Sequence, residues 1–138
     1  MDDSPIAQLL AAIDAFDVEA AVALFARDAR LLSVDGRRAD GSDAVRELLT
    51  DLVNVLRSSA HRITALWHEQ NVWIAEVEAT YELKEDMLKI TRPRAFVLYD
   101  GPEGFVDLHV YGAHERWLGD RHTNEGEMRL GGRWIPPL

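Results

Sequence analysis

Along Val72–Leu83 apolar and polar residues alternate with period two. Trp73, Ala75, Val77, Ala79, Tyr81 and Leu83 fall on one face, and Glu76, Glu78 and Glu82 on the other. Such alternation predicts a strand with one side toward an apolar interior. Gly104–Tyr111 repeats it, with Val106, Leu108 and Val110 opposite Asp107, His109 and Tyr111. Upstream the period is helical. Ser4-Pro5 supplies a cap and a first-turn proline for a helix with the stripe Ile6, Leu9, Leu10 and Ile13. Asp17 caps a short second helix with Ala21, Leu24 and Phe25 inside, and Ala29–Val34 reads as a strand before an Asp35-Gly36 turn. Ser42 caps the longest helix, to about Arg57, with Val45, Leu48, Leu49, Leu52, Val55 and Leu56 on one face. The strands His61–His68, Val72–Leu83, Leu88–Tyr99 and Phe105–Tyr111 follow. Turns lie near Gln70-Asn71, Lys84–Asp86 and Asp100–Gly104, and Pro93 predicts a bulge or an interrupted edge.

Helices followed by a run of antiparallel strands define an α+β class. The expected architecture is a cone: a curved antiparallel sheet wrapped around three helices from the N-terminal half. Residues 1–118 form this domain. Residues 119–138, ending in Gly131-Gly132-Arg133-Trp134-Ile135-Pro136-Pro137, read as a C-terminal arm.

Composition narrows the function. The 138 residues carry 15 Lys and Arg against 24 Asp and Glu, a formal charge of −9, which argues against nucleic acid or an anionic membrane as partner. There is no cysteine, so disulfides, thiolate metal sites and a cysteine nucleophile are excluded. The N-terminus lacks a basic region and no apolar run approaches the ~20 residues that cross a bilayer, so a cytoplasmic protein is expected.

Three stretches together resemble the nuclear transport factor 2-like superfamily, in its SnoaL-like and ketosteroid-isomerase-like branch, whose fold is also described as cystatin-like. They are the Asp-capped helix Phe16–Ala29 containing Leu24-Phe25-Ala26-Arg27-Asp28-Ala29, the strand end Ala79-Thr80-Tyr81, and the last strand Gly104–Gly112. With the helix order, the resemblance covers roughly Ile6 to Leu118. It implies a cone with a ligand cavity. It also implies where the family's chemistry would sit, and those positions hold other residues. Leu9 stands for the oxyanion-hole tyrosine of ketosteroid isomerases, Ser33 for the base, and Arg94 near the acid. Val77, Ala79 and Val110 stand for the aspartate–arginine–aspartate set of limonene-epoxide hydrolases, and Val110 again for the cyclase aspartate. Valine neither transfers a proton nor orients water.

Among the residues present, Arg94 is the sharpest candidate. It shares parity with Ile90, Arg92, Phe96 and Leu98. Facing inward, its guanidinium requires a carboxylate or an anionic ligand; with a bulge at Pro93 it is instead solvated or paired with Asp35. Trp67, Trp73 and Tyr81 offer an aromatic wall that doubles as core, and Phe96 and Val110 join the ligand-binding lining. Asp35 and Tyr81 are the substitute catalytic candidates. Asp107, His109 and Tyr111 have the parity of the outer face, and His61, His68, His114 and His122 lack metal-ligand spacing and are expected at the surface or rim. No metal or cofactor is expected.

The primary expectation is a pocket protein for a largely apolar, optionally acidic small molecule, without the family's usual catalytic residues. The alternative is an acid–base isomerase, dehydratase or cyclase for a polyketide- or steroid-like substrate. A homodimer through the outer sheet face is expected in either case. A titratable side chain inside the cone favours the enzyme.

Overall fold

The computed structural model describes residues 3–85 and 87–112. Helix α1 (Pro5–Asp14) starts as predicted: the Ser4 hydroxyl accepts from the Ala7 N–H, and Pro5 occupies the first turn. Its stripe Ile6, Leu9, Leu10 and Ile13 is buried. Asp17 caps α2 (Val18–Val22) by accepting from the Ala20 N–H. Strand β1 (Phe25–Leu32) begins inside the stretch expected as helix, and a three-residue strand β2 (Arg38–Asp40) pairs with it. Helix α3 (Ser42–Val55) presents Val45, Leu48 and Leu49 to the core; Ser42 is its first helical residue and not its cap, which is Gly41 at φ 91° without a side-chain hydrogen bond. On its solvent side Arg46 grips Glu19 of α2, whose hydrogen bond raises the pKa of the guanidinium above its ordinary value.

Strand β3 (Leu56–Glu69) follows α3 without a loop, five residues earlier than the sequence pattern predicts. Strands β4 (Val72–Leu83), β5 (Lys89–Gly101) and β6 (Gly104–Gly112) complete a curved mixed sheet in the order β2-β1-β6-β5-β4-β3. The sheet is not wholly antiparallel: β1 runs parallel to β6. The helices supply its inner layer, and the main core joins α1, α2 and α3 to the inward residues of β1, β4, β5 and β6. The α+β cone is therefore the observed fold, and the expected arm at 119–138 lies outside the described residues.

Two predicted register features differ. Pro93 causes no bulge, and β5 stays in step with β4 from Val72↔Tyr99 to Glu82↔Lys89. Among the described residues β6 ends at Gly112, opposite Arg94, and none of them pairs with Pro93 on that side. The bulge lies instead in the β5–β6 pair, where Tyr99 faces Asp107 but Asp100 faces Phe105. Val106 is the extra residue and turns outward, 44% exposed, while Phe105 takes the inward place assigned to it. No helix among the described residues is long and apolar enough to cross a membrane.

Candidate functional site

Between the helices and the concave face of the sheet lies a cavity of about 70 Å³. Its walls are hydrocarbon and aromatic, with Leu9 and Ile13 from α1, Leu49 and Leu52 from α3, and Phe96 and Val110 from the sheet. Four residues that carry polar side chains join the lining: Ser33, His61, Tyr81 and Arg94.

His61 is the residue that the sequence reading misplaced. It shares parity with Ile63 on β3, and its side chain is only 2% exposed. Asp14, the last residue of α1, meets it there. The Asp14 Oδ1 atom accepts from the Ser59 hydroxyl and lies 2.7 Å from His61 Nδ1, while Oδ2 accepts from the His61 backbone N–H at 2.9 Å. A carboxylate only accepts, so Nδ1 carries the imidazole proton and Nε2 of the neutral ring is the acceptor. Tyr81 completes the chain, its hydroxyl 3.0 Å from Nε2. In this state the Tyr81 O–H donates to His61, and Tyr81 is also one of the residues that line the cavity. A base held by a carboxylate, with a phenol on its other nitrogen, is the machinery of proton transfer.

Arg94 points inward and is 4% exposed. Its Nη1 donates to the Pro93 carbonyl at 3.0 Å, and Gly112 gives the side chain room: a Cβ there would lie 2.9 Å from Nη1. A guanidinium among hydrocarbon walls favours negative charge developing in the same cavity.

The other expectations divide. Tyr81, Phe96 and Val110 line the cavity as expected, and Val77 and Ala79 are buried. Trp67 does not; it is 53% exposed on the outside, because the irregularity between Ile63 and Ala65 reverses the parity of β3 beyond that point. Trp73 packs on the main core at the far end of β4 and stacks on His68 at 3.6 Å, away from the cavity. The aromatic wall therefore shrinks to Tyr81, with Phe96 and Phe25 beside it. Asp35 is spent on its own turn. Its carboxylate accepts from the Arg37 N–H and Nε, and it is not part of the lining although Ser33 and Val34 are. It therefore lies outside the cavity lining, and its ion pair is with Arg37. On the outer face Arg30, Asp107, His109 and Tyr111 form a hydrogen-bonded row. No three His, Asp or Glu side chains among the described residues are grouped to hold a metal.

This arrangement of helices and sheet has relatives. The SnoaL-like domain family matches residues 6–105. The chain belongs to the SnoaL-like family. A protein of ketosteroid isomerase-like fold from Catenulispora acidiphila, solved with trimethylamine, is similar at 16% identity and a TM-score of 0.73, over 79% of this chain and 85% of that one. An epoxide hydrolase of the LEH-like type from M. tuberculosis is similar at 14% identity and a TM-score of 0.69, over 79% and 80%. An epoxide hydrolase/cyclase-like enzyme of pyran-ring formation in salinomycin shares 17% identity and a TM-score of 0.69, over 79% and 88%. At these identities the likeness is one of fold. No curated protein matches the chain. The chemistry this SnoaL-like domain can offer resides in its own Asp14, His61, Tyr81 and Arg94.

Proposed function

We propose that this SnoaL-like domain is an acid–base catalyst, needing no cofactor, that moves a proton on a small, largely apolar carbonyl compound. The observation that carries this reading is the Asp14–His61–Tyr81 chain at 2.7 and 3.0 Å, with a buried imidazole and a phenol lining the cavity. As a substrate C–H proton passes to the Tyr81 oxygen, the Tyr81 proton passes to His61 Nε2. The resulting imidazolium is held by Asp14. Arg94, in the same cavity, stabilises the enolate. The reverse transfer delivers a proton to another atom of the substrate, which is an isomerisation, or departs with a hydroxide, which is a dehydration.

Cavity size limits what enters. At ~10–15 Å³ per enclosed water, this space holds about five to seven non-hydrogen atoms. One ring of a larger substrate fits, not a fused polycycle. Cyclopentanone is therefore a suitable probe, and α-hydrogen exchange in D₂O, read by NMR, measures proton abstraction without knowledge of the natural substrate. The wild type should accelerate exchange and His61→Gln should abolish that acceleration. Exchange equally fast with both proteins, or no faster than in buffer, would sink the catalytic reading.

A second reading rests on Val110 and Leu108, which line the cavity with hydrocarbon where an acid would be most useful on the last strand. On that reading the domain is a binder of small apolar acids, held by Arg94. Cyclopropanecarboxylate binding without ketone exchange is its signature. In both cases we place a second copy of the domain on the outer sheet face, where Ile74, Tyr99, Val106 and Tyr111 are exposed.

A further inference from the structure

His61 contributes to two linings. Besides the inner cavity, it borders a groove of about 410 Å³ between α1 and β3, with Ala7, Leu10, Ala11, Asp14, Arg62 and Ile63. The side chain of Asp14 is 26% exposed where that of His61 is 2%. The carboxylate that holds the buried ring thus opens to the groove, on the other side of the wall from the substrate space. Ser59 and the His61 backbone N–H fix both of its oxygens, so the contact with Nδ1 is maintained without help from a ligand.

We propose that the groove is a proton port: the dyad exchanges protons with solvent through Asp14 and the α1–β3 groove, and not through the substrate cavity. This inference rests on the acid–base reading above. A substrate proton goes to the Tyr81 oxygen, the Tyr81 proton to His61 Nε2, and the Nδ1 proton along Asp14 to a groove water. Tyr81 then holds an O–H aimed at the cavity and accepts from Nε2–H. When it protonates the product, the Nε2 proton returns to the tyrosine and Nδ1 is refilled from the groove. The charge of the dyad is restored, and in each cycle one proton has left and one has entered through the back wall. The charged or titratable groups around the ring are Asp14 from α1, Tyr81 from β4, Arg94 in the cavity and Arg62 on the groove rim. Arg62 is itself paired with Glu78 at 2.9 Å.

Ala11 tests the port, because it is exposed on α1, one turn before Asp14, and borders only the groove. Ala11→Phe covers the groove while leaving the cavity and core untouched. The readout is the rate at which the His61 Nδ1–H exchanges with solvent, by NMR on protein labelled with ¹⁵N at histidine. The port requires at least a roughly tenfold slower exchange in Ala11→Phe. It also requires unchanged exchange in the wild type when cyclopentanone saturates the cavity. Exchange that slows with cyclopentanone but not with Ala11→Phe would overturn the port and assign the cavity as the route. The cyclopentanone arm uses the wild type alone, so it decides the matter even where the variant folds poorly. Neither arm needs turnover, so loss of the catalytic reading, seen as absent ketone exchange, remains a separate result.

Discussion

Arg94 on β5 and Gly112 on β6 are register partners, and the arginine side chain lies where a Gly112 side chain would be. A Cβ on Gly112 would sit 2.9 Å from Nη1 and 3.0 Å from Cδ of Arg94, and 2.9 Å from the Pro93 carbonyl. The glycine is what lets the guanidinium turn into the cavity.

Gly112→Ala should therefore destabilise the fold by about 1–3 kcal/mol, the usual range for overpacking. Adding Arg94→Ala should recover part of that loss, since one of the three close contacts is to backbone and remains. Denaturant unfolding of the two single variants and the double variant reads the coupling; strict additivity would show that the two residues do not share this space.

Arg94→Met should weaken cyclopropanecarboxylate about ten- to a hundred-fold, as expected for about 1.5–3 kcal/mol from a charge-assisted hydrogen bond. Binding of the neutral carboxamide should be nearly unaffected. Calorimetry on both ligands checks this, and equal affinity of acid and amide for the wild type would remove the ligand role of Arg94.

Asp14→Ala strips the acceptor from the Ser59 hydroxyl, the His61 N–H and Nδ1 together. A loss of about 3 kcal/mol in stability is expected from orphaned, partly buried donors. Ser59→Ala removes a single donor and should cost only about 0.5–1.5 kcal/mol. Comparable losses in the two variants would contradict the central place of the carboxylate.

Gln70 occupies the first central position of the β3–β4 hairpin with φ of 56°, a left-handed conformation that favours glycine. Gln70→Gly should raise stability by about 1 kcal/mol, seen as a higher melting temperature, without altering cavity binding.

Sedimentation should show a dimer at micromolar concentration. Val106→Lys combined with Ile74→Lys should give a monomer with unchanged circular dichroism. Both residues are exposed on the outer face, where an apolar sheet surface is normally covered. A wild-type monomer would leave that face without its proposed occupant.

Strand β4 was legible to the residue, because its alternation is uninterrupted and β5 stays in step with it throughout. The caps of α1 and α2 were legible because capping is a contact within a few residues. Arg94 needed only parity once Pro93 proved to stay in step. The rest depended on contacts distant in sequence. Nothing local shows that β1 lies parallel to β6, nor that Val106 is the extra residue of a bulge. The start of β3 at Leu56 was hidden by the polar run Arg57-Ser58-Ser59, and placing it at His61 put that histidine at a rim. Parity with Ile63 was the available signal. Its partner Asp14 stands 47 residues away at the flank of the α1 stripe, and no periodicity joins the two.

The parallel seam between β1 and β6 also has a consequence during synthesis. Strand β1 has only β2 and β6 beside it, and the ion pair across the seam, Arg30 to Asp107, joins residues 77 apart. At ~5–20 residues per second, roughly 4–15 s pass between the appearance of β1 and that of its partner. Through that interval Leu9, Ile13, Leu31 and Leu48 have no finished sheet to cover them. The cavity wall is thus the last part of the molecule to close, and a growing chain presents its apolar lining to chaperones, or to other growing chains, before it can present it to a ligand.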